Sequence, residues 1–445
     1  MKKFMSHEII SFGLSPLVMA IILFLVPGIS NATTFHVGKN GNDSNSGTEH
    51  SPFQTIHKGI GQLSAGDTLY VHSGIYSESI LSWKTPIPNG TSWDQPIIIA
   101  TFPGDTVTIT PPSGLAFFWI QDGQAKYLII NGFIIDGQNS ASHGFKFSNN
   151  SRYIRVQNSE IKNSKNTAIQ ATICSGCSNP STAPHDTFHE FINLTIHDNG
   201  SSIKDHGFYI ETSKNIVENS KIYNNTGNGG KFFHGHLPEV SNHNIARNNI
   251  FFDNSTSGKW SCGLILSSGE GNMAYNNIAY GNFAGFCIIY RTTNARLFNN
   301  ISYGNTYYGI YVGMNSTDKS YVQNNTVYNN YNYGIFIGDD AKNTTVSNNI
   351  SYLNKGENIG LQNQTGSILS QNLSSNPFFI NATAKDFHLK SGSPAIDKGE
   401  VINFISNDFS GNSRPQGSSY DIGAYEEIPE IDDVPPNRPK DLIAN

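Results

Sequence analysis

The feature that most constrains this chain is a repeat of short strands that each begin with a small residue. The copies are GFKF from Gly144, AIQA from Ala168, GFYI from Gly207, GGKFF from Gly229, GLIL from Gly263, GFCI from Gly285, GIYV from Gly309, GIFI from Gly334 and NIGL from Asn358. Most neighbours are about 22 to 25 residues apart, which is a period of stacked units and the length of one turn of a parallel β-helix. The repeat therefore predicts an all-β fold, a right-handed parallel β-helix solenoid of about ten rungs with N- and C-terminal caps.

Asparagine recurs after each of these strands. One series is Asn158, Asn193, Asn219, Asn249, Asn277, Asn300, Asn325, Asn349 and Asn372, and a second is Asn163, Asp198, Asn224, Asn254, Asn282, Asn305, Asn330 and Asn354. Equivalent residues of stacked turns lie above one another, and an amide both donates and accepts hydrogen bonds. Two asparagine ladders are therefore expected to hold the turns together.

Both ends of the chain differ from the repeat. Lys2 and Lys3, an apolar run and Ser30-Asn31-Ala32 follow the order of a secretory signal peptide. The predicted parts are a signal peptide (1–32), an N-terminal cap with the first turns (33–120), β-helix repeats with the asparagine ladders (121–376), a C-terminal cap (377–427) and a Pro-rich linker or tail (428–445).

The amino-acid composition limits the classes of partner that this chain is expected to bind. The net charge is −6 and only 14% of residues are charged, so the basic stripe of a nucleic-acid-binding protein is missing from the sequence. No apolar stretch after the signal peptide approaches the length of about 20 residues that spans a bilayer. We expect a secreted, extracellular monomer, with attachment to the cell surface as the alternative, and an acidic polysaccharide or cell-surface glycan as its partner.

The four cysteines give weaker signals. Cys174 and Cys177 form a CSGC in a predicted loop, which favours a local disulfide or free thiols over zinc. Cys262 and Cys287 fall at different positions of the repeat, which argues against a bridge between them.

Alternation along each strand predicts which side chains face outward. The residue two places after the small residue should point away from the core. This gives an outward stripe of Lys146, Gln170, Tyr209, Lys231, Ile265, Cys287, Tyr311 and Phe336. The stripe is expected to be a surface that mixes lysines with aromatic rings.

Two segments carry a family resemblance. Val37 to Ile80 resembles the N-terminal segment of many secreted β-helix proteins, including pectate lyase relatives, at Asp43, Gly47, Pro52, Thr55, Ile56, Gly66, Asp67, Gly74 and Tyr76. DFSGNSRPQGSSYDIGAYE, Asp408 to Glu426, resembles the closing segment of the same group. The resemblance implies the fold and secretion. It leaves open whether the chain is a lyase, an epimerase or a protein without activity, since one fold hosts many chemistries.

The candidate functional residues cluster where the turns are enlarged, between residues 168 and 263. Loops inserted in a regular solenoid commonly build the walls of its binding face. The candidate residues there and at the same position of nearby turns are Asp205, His206, Tyr209, Glu211, Lys231, His234, His236 and Arg291.

A uronate lyase needs a base, a group that neutralises the substrate carboxylate, and a proton donor. On this interpretation Lys231 is the base, Arg291 holds the carboxylate, and His206 or Tyr209 donates the proton. Glu211, His234, His236, Tyr311 and Phe336 are expected to bind substrate. Ca²⁺ is the one cofactor considered, with Asp205 and Glu211 as its ligands.

The function expected from these residues is β-elimination on an acidic, uronate-containing polysaccharide. DPHE, found in alginate epimerases, and the NTD, GHG and RIK set of polygalacturonases are both missing from the sequence. The alternatives are a non-catalytic glycan-binding or cell-surface structural protein, in which Tyr209, Tyr311 and Phe336 provide stacking surfaces, and a uronate epimerase.

Overall fold

The computed structural model describes residues 32–121, 125–148, 151–173, 186–233, 240–254 and 261–428. Residues 1–31 of the predicted signal peptide and residues 429–445 of the predicted linker lie outside these ranges. Cys174, Cys177, His234 and His236 also lie outside them.

Three parallel sheets run the length of the molecule, and each turn of the chain adds a strand to each sheet in succession. Sheet A has 13 strands: Thr34–Val37, Thr68–Val71, Ile97–Thr101, Lys126–Asn131, Arg152–Gln157, Glu190–Ile192, Ile216–Glu218, Ile245–Arg247, Met273–Tyr275, Arg296–Phe298, Tyr321–Gln323, Thr345–Ser347 and Ile368–Ser370.

Sheet B has 11 strands: Ile80–Leu81, Ala116–Ile120, His143–Phe147, Ile169–Ala171, Phe208–Ile210, Gly230–Phe232, Cys262–Ser267, Ala284–Ile289, Tyr308–Gly313, Ile335–Gly338 and Ile359–Gln362. Sheet C also has 11 strands: Gly74–Tyr76, Val107–Ile109, Ile134–Asp136, Glu160–Lys162, Thr195–His197, Lys221–Tyr223, Ile250–Phe252, Ile278–Tyr280, Ile301–Tyr303, Thr326–Tyr328 and Ile350–Tyr352. The predicted parallel β-helix is confirmed, with about eleven turns.

The core lies between the three sheets. Apolar side chains at alternate strand positions stack in register from turn to turn, as Phe118, Phe145 and Ile169 do in sheet B. These three side chains are at most 1% exposed. Alternation therefore separates core from surface, as the sequence predicted.

Two asparagine ladders line the inside of the turns. In the first, successive side-chain amides from Asn249 to Asn372 bond to one another at 2.9 to 3.0 Å. In the second, those from Asn199 to Asn354 bond at 2.9 to 3.4 Å. Each amide also donates to backbone carbonyls, for example Asn300 to Ala274 at 2.9 Å. The ladders satisfy buried polar groups of the turns.

In both predicted ladders, the first three residues were each assigned one position too early in the sequence. Asn158, Asn193 and Asn219 have positive φ angles of 51° to 54° and turn their side chains outward. The inward position beside them belongs to Ser159, Leu194 and Ser220; the Ser220 N–H donates to the Asn249 side chain. In the second series Asn163, Asp198 and Asn224 are displaced in the same way. Asn, like Gly, tolerates left-handed backbone, so both positions attract it.

A third ladder connects Asn215, Asn244 and Asn272. The Asn215 amide donates to Asn244 Oδ1 at 3.0 Å, and the Asn244 N–H donates to Asn272 Oδ1 at 2.8 Å. Its members span three turns, a run that the sequence reading missed.

The N-terminal cap is built from residues that carry the family resemblance. Asp43 accepts from the Gln54 and Thr55 N–H groups, each at 2.9 Å. Thr55 caps the short helix Ile56–Ile60, whose isoleucines are fully buried against the first turns. The helix covers the first strands and keeps their apolar side chains from water.

Residues 377–427 are the predicted C-terminal cap. The antiparallel strands Phe379–Asn381 and Asp386–Leu389 and a 3₁₀ turn, Ala382–Ala384, pack along the outside of sheet C. The segment is braced by a buried ion pair between Arg414 and Glu426.

The last turn keeps part of its core exposed. Leu361 and Leu369 occupy the core-facing positions above Ile337 and Val346, yet they are 44% and 42% exposed. No helix within the described ranges is long and apolar enough to cross a membrane.

Candidate functional site

The outward stripe of sheet B positions the candidate site. Trp119, Lys146, Gln170, Tyr209, Lys231, Ile265, Cys287, Tyr311 and Phe336 pair in register from strand to strand. The predicted stripe is confirmed, but its four upper members from Ile265 to Phe336 are buried rather than exposed.

A recess of about 800 Å³ runs along this stripe. Its ionisable end is lined by His143, Gln170, Lys204, Asp205, His206, Tyr209, Glu211, Asn228 and Lys231. Its apolar end is lined by Phe233, Cys262, Ile265, Phe283, Ala284, Cys287, Ile289, Tyr290, Tyr308, Tyr311 and Met314. The recess brings together four predicted site residues in addition to Lys231, namely Asp205, His206, Tyr209 and Glu211, and it includes Tyr311.

Lys231 lies where the two ends meet. Its ammonium nitrogen is 3.7 Å from the centroid of the Phe233 ring. Burial lowers the pKa of Lys231 to about 8. Among the described residues, no carboxylate forms an ion pair with it. A lysine in this setting is partly neutral near neutral pH and can accept a proton.

His206 is held as a neutral imidazole. Burial, followed by the charge of Lys231, lowers its pKa to about 3. Its Nδ1 accepts from the backbone N–H of Asn228 at 3.1 Å, which leaves the ring proton on Nε2. The backbone N–H of His206 donates to the Thr167 hydroxyl at 3.0 Å. The ring is therefore fixed in one tautomer and orientation.

Tyr209 and Glu211 form a hydrogen-bonded pair two residues apart on the outward face. Burial and the neighbouring Glu211 carboxylate raise the pKa of Tyr209, so its hydroxyl stays protonated. Glu211 also acts on Lys146, whose pKa is lowered by burial and raised by that carboxylate. Tyr209 is thus a neutral donor next to Lys231 on the neighbouring strand.

His143 belongs to the recess although the sequence reading did not select it. The residue is 7% exposed, and its Nδ1 is buried without a hydrogen-bond partner in the described structure. Burial, followed by the charge of Lys146, lowers its pKa to about 4. Its place at the residue before a repeat strand, like that of His206, was the signal that could have found it.

Two predicted roles are poorly supported by the positions of the side chains, namely carboxylate binding by Arg291 and calcium binding by Asp205. Arg291 is exposed and does not line the recess. One Asp205 carboxylate oxygen accepts from the Ser201 and Ser202 N–H groups at 3.0 and 2.8 Å, so it is already used in a local turn. In the described ranges no three His, Cys, Asp or Glu side chains gather as metal ligands. Calcium binding by Asp205 and Glu211 stays a prediction.

Tyr311 and Phe336, predicted to bind substrate on an exposed surface, are only 2% and 4% exposed. The Tyr311 hydroxyl donates to Asp339 at 2.7 Å. Their rings stack with 5.9 Å between centroids inside an apolar cluster outside sheet B. The open stacking platform expected from these two side chains is therefore wrong.

Cys262 and Cys287 form a disulfide, with their Cα atoms 6.2 Å apart. The expectation that they could not be bridged is wrong, because it assumed strict alternation through the small residue. Cys262, one place before Gly263, and Ile265, two places after it, belong to the same outer cluster. Both positions therefore face outward, and the disulfide links neighbouring strands in the recess wall.

Two family models match the sequence. Residues 234–418 match the model described as periplasmic copper-binding protein (NosD), and residues 39–88 match a model for a protein of unknown function, DUF1565. No protein of curated function is significantly similar to the chain.

Solved structures with similar folds include a lyase, a hydrolase and an epimerase. A pectate lyase is 17% identical with a TM-score of 0.49, covering 90% of this chain and 98% of its own. A glycoside hydrolase is 10% identical with a TM-score of 0.51, covering 81% and 99%. The A-module of a mannuronan C-5 epimerase from Azotobacter vinelandii is 13% identical with a TM-score of 0.45, covering 70% and 91%.

At these identities the likeness concerns the fold alone. The repeat and the three parallel sheets agree with one another. The chain is a parallel β-helix protein, and its residues 234–418 are similar to the family described as periplasmic copper-binding protein (NosD).

Proposed function

We propose that this protein acts outside the cytoplasm on an acidic, uronate-containing polysaccharide and cleaves it by β-elimination in the recess of sheet B. The observation that carries the proposal is Lys231, an amine whose pKa is lowered to about 8 beside the neutral donors His206 and Tyr209. Perturbed ionisable groups that meet in a recess are typical of catalytic sites.

The reaction assigns one task to each group. Neutral Lys231 removes the proton at C5 of the uronate, the C4–C5 double bond forms, and the C4–O bond breaks. Tyr209 gives its proton to the leaving oxygen, since its raised pKa keeps it protonated at the pH at which Lys231 is neutral. The Nε2–H of His206 is the second available donor.

The substrate carboxylate needs a cation, and we assign this role to Lys204 in place of Arg291. Lys204 lines the ionisable end of the recess and is exposed at its rim. A cation at this position stabilises the charge that develops on the carboxylate as the C5 proton leaves.

No step is assigned to a metal. The name of the family matched by residues 234–418 includes copper, and among the described residues no three His, Cys, Asp or Glu side chains form a group that could hold a metal ion. Lys204 supplies the positive charge in this scheme.

The two rival functions differ in what they leave behind. An epimerase would exchange the C5 proton with solvent without making a double bond. A glycan-binding protein would retain the polysaccharide without either change. Lys231 favours the lyase over the binding protein, because burying an amine that has no ion-pair partner among the described residues costs stability that simple binding does not require.

The test incubates the purified chain with pectate, alginate and chondroitin and follows the ultraviolet absorbance of unsaturated uronate ends. The absorbance should rise, and the initial rate should increase with pH through about 8 as Lys231 loses its proton. The same reactions in deuterated water reveal C5 exchange. Exchange without absorbance would favour the epimerase, and retention without either signal would favour the binding protein.

A further inference from the structure

The apolar end of the recess is built differently from a surface that binds plain sugars. Ile265 and Ile289 form its wall together with Ala284 and the Cys262–Cys287 disulfide. These side chains are at most 7% exposed as residues, yet they line the recess. Phe283, Tyr290 and Met314 are partly buried around them.

Among the described residues, most polar side-chain atoms at this end already have hydrogen-bond partners. The Tyr311 hydroxyl donates to Asp339, and the Tyr308 hydroxyl is hydrogen-bonded to Tyr307. Tyr290 contributes one further hydroxyl. A sugar placed here would leave most of its own hydroxyls without partners, which is unfavourable when water is displaced.

We infer that the apolar end receives an acyl or aryl group carried by the uronate-containing glycan. The inference rests on the proposed function, because it assigns the acidic sugar to the ionisable end of the same recess. Lys231, Ile265, Cys287 and Tyr311 lie on successive strands. At a strand spacing of about 4.8 Å, the apolar end extends roughly 15 Å beyond Lys231.

Phe233 makes the two ends continuous. One face of its ring contacts the Lys231 ammonium, and the ring also lies edge-on to Tyr290 at 5.9 Å. A ligand that pairs its carboxylate with the ionisable end must therefore pass Phe233 before it reaches Ile265. The preferred substrate is an amphiphilic glycan, acidic at one end of the recess and apolar at the other.

The test compares three glycosides of one uronic acid, with an alkyl, an aryl and a hydroxyethyl aglycone, by isothermal titration calorimetry on the full chain. Burying an apolar group of this size should strengthen binding at least about tenfold over the hydroxyethyl glycoside. The alkyl and aryl arms show which apolar group fits better. Equal affinity for all three would overturn the inference.

A matched pair of variants tests whether the preference for apolar glycosides arises at the apolar end of the recess. Met314 lines the apolar end and has a φ of 61°, which asparagine tolerates, so Met314→Asn should reduce the preference to less than about threefold while the chain stays folded. Leu353, with a φ of 57° and 52% exposure, lies outside the recess, and Leu353→Asn should keep the preference. Loss in both variants, or in neither, would contradict the assignment to this end.

Calorimetry needs no turnover, so the two proposals can fail separately. A preference for apolar glycosides without any unsaturated product would remove the elimination reaction and keep the ligand class. Product from unsubstituted glycans together with equal affinities would keep the reaction and remove the apolar subsite.

Discussion

The lower and upper turns of the solenoid share one backbone conformation and differ in the side chains that fill their core. We call lower the turns whose sheet B strands run from Ala116–Ile120 to Gly230–Phe232, and upper those from Cys262–Ser267 to Ile335–Gly338. Phenylalanines such as Phe145 and Phe208 fill the lower core. In the upper turns the core positions include small residues, among them Ala274 and Ala279, and two continuous asparagine ladders run beside them.

The outer face changes at the same point. The lower stripe carries Lys146, Gln170, Tyr209 and Lys231, and the upper stripe carries Ile265, Cys287, Tyr311 and Phe336. The upper turns are also tied by a disulfide and by the segment packed on sheet C. The upper turns, which the disulfide and the packed segment stabilise, form the apolar wall of the recess. The buried ionisable groups, which cost stability, lie in the neighbouring lower turns.

The largest expected effect separates two lysines of the lower stripe. Lys231 and Lys146 each lie over an aromatic ring, at 3.7 Å from Phe233 and 4.3 Å from Trp119. Only Lys231 lines the recess, so Lys231→Ala should lower the elimination rate by about 10² to 10⁴-fold. Lys146→Ala should change it only a few-fold, measured by the absorbance of unsaturated ends under identical conditions.

The paired design guards against a simple folding defect. Circular dichroism and thermal unfolding should show both variants folded, since each removes a side chain from the outside of sheet B. Equal losses of rate in the two variants would show that Lys231 has no special role.

The next effect tests the ladders. Asn249 donates to the Val217 carbonyl at 2.9 Å and to Asn277 at 3.0 Å, and it accepts from the Ser220 N–H. Asn249→Ala should lower the free energy of unfolding by about 3 kcal/mol, because buried partners lose their bonds. Asn219→Gly should change it by less than about 1 kcal/mol, since Asn219 is exposed with a φ of 54° that glycine accepts. Urea denaturation measures both, and similar losses would mean that the two residues share one ladder.

This pair also shows how far the sequence could determine the fold. Period and alternation were enough for the parallel β-helix and for the outward stripe. They could not separate the two asparagine positions, because a left-handed turn residue and an inward ladder residue are neighbours and both favour Asn. Doublets such as Asn276-Asn277 and Asn299-Asn300 occupy both positions, which is the signal that resolves the register.

The site was predictable in part for a related reason. Stacking placed His206, Tyr209, Glu211 and Lys231 together, because residues at one position of the repeat share one face. Burial of the upper stripe, the disulfide and His143 depend on the bend at each small residue and on packing outside the sheet. The period of the repeat carries no information on that bend or on that packing.

A third prediction concerns the stability of the folded chain at acidic pH. Buried histidines of the lower turns include His143, His189 and His206, and burial lowers the pKa of His189 from 6.5 to about 3. Below pH 6.5 the unfolded chain binds a proton that the folded chain refuses, so stability falls as the pH decreases towards 3. At pH 5 the loss is about 2 kcal/mol for His189. The lower turns should therefore lose hydrogen-exchange protection before the upper turns.

A substitution isolates this contribution. His189 Nδ1 accepts from the Ile154 N–H at 3.3 Å, and a glutamine carbonyl can replace that acceptor without titrating. Urea denaturation of His189→Gln at pH 7 and pH 5 should show about 2 kcal/mol less acid destabilisation than the original chain. An unchanged pH dependence would assign the acid sensitivity elsewhere.

The smallest effect lies at Phe233, where the two regions meet. Its ring stabilises the Lys231 ammonium, while its bulk keeps water away. Phe233→Leu keeps the apolar cover and removes the ring, so the pKa of Lys231 should fall below about 8 by less than about one unit. The pH dependence of Lys231 acylation measures it, with Phe283→Leu at the apolar end as the control that should leave the profile unchanged. A rise in the pKa instead would mean that Phe233 acts mainly by excluding water, and the boundary between the ionisable and apolar ends would then be set by hydration rather than by the ring.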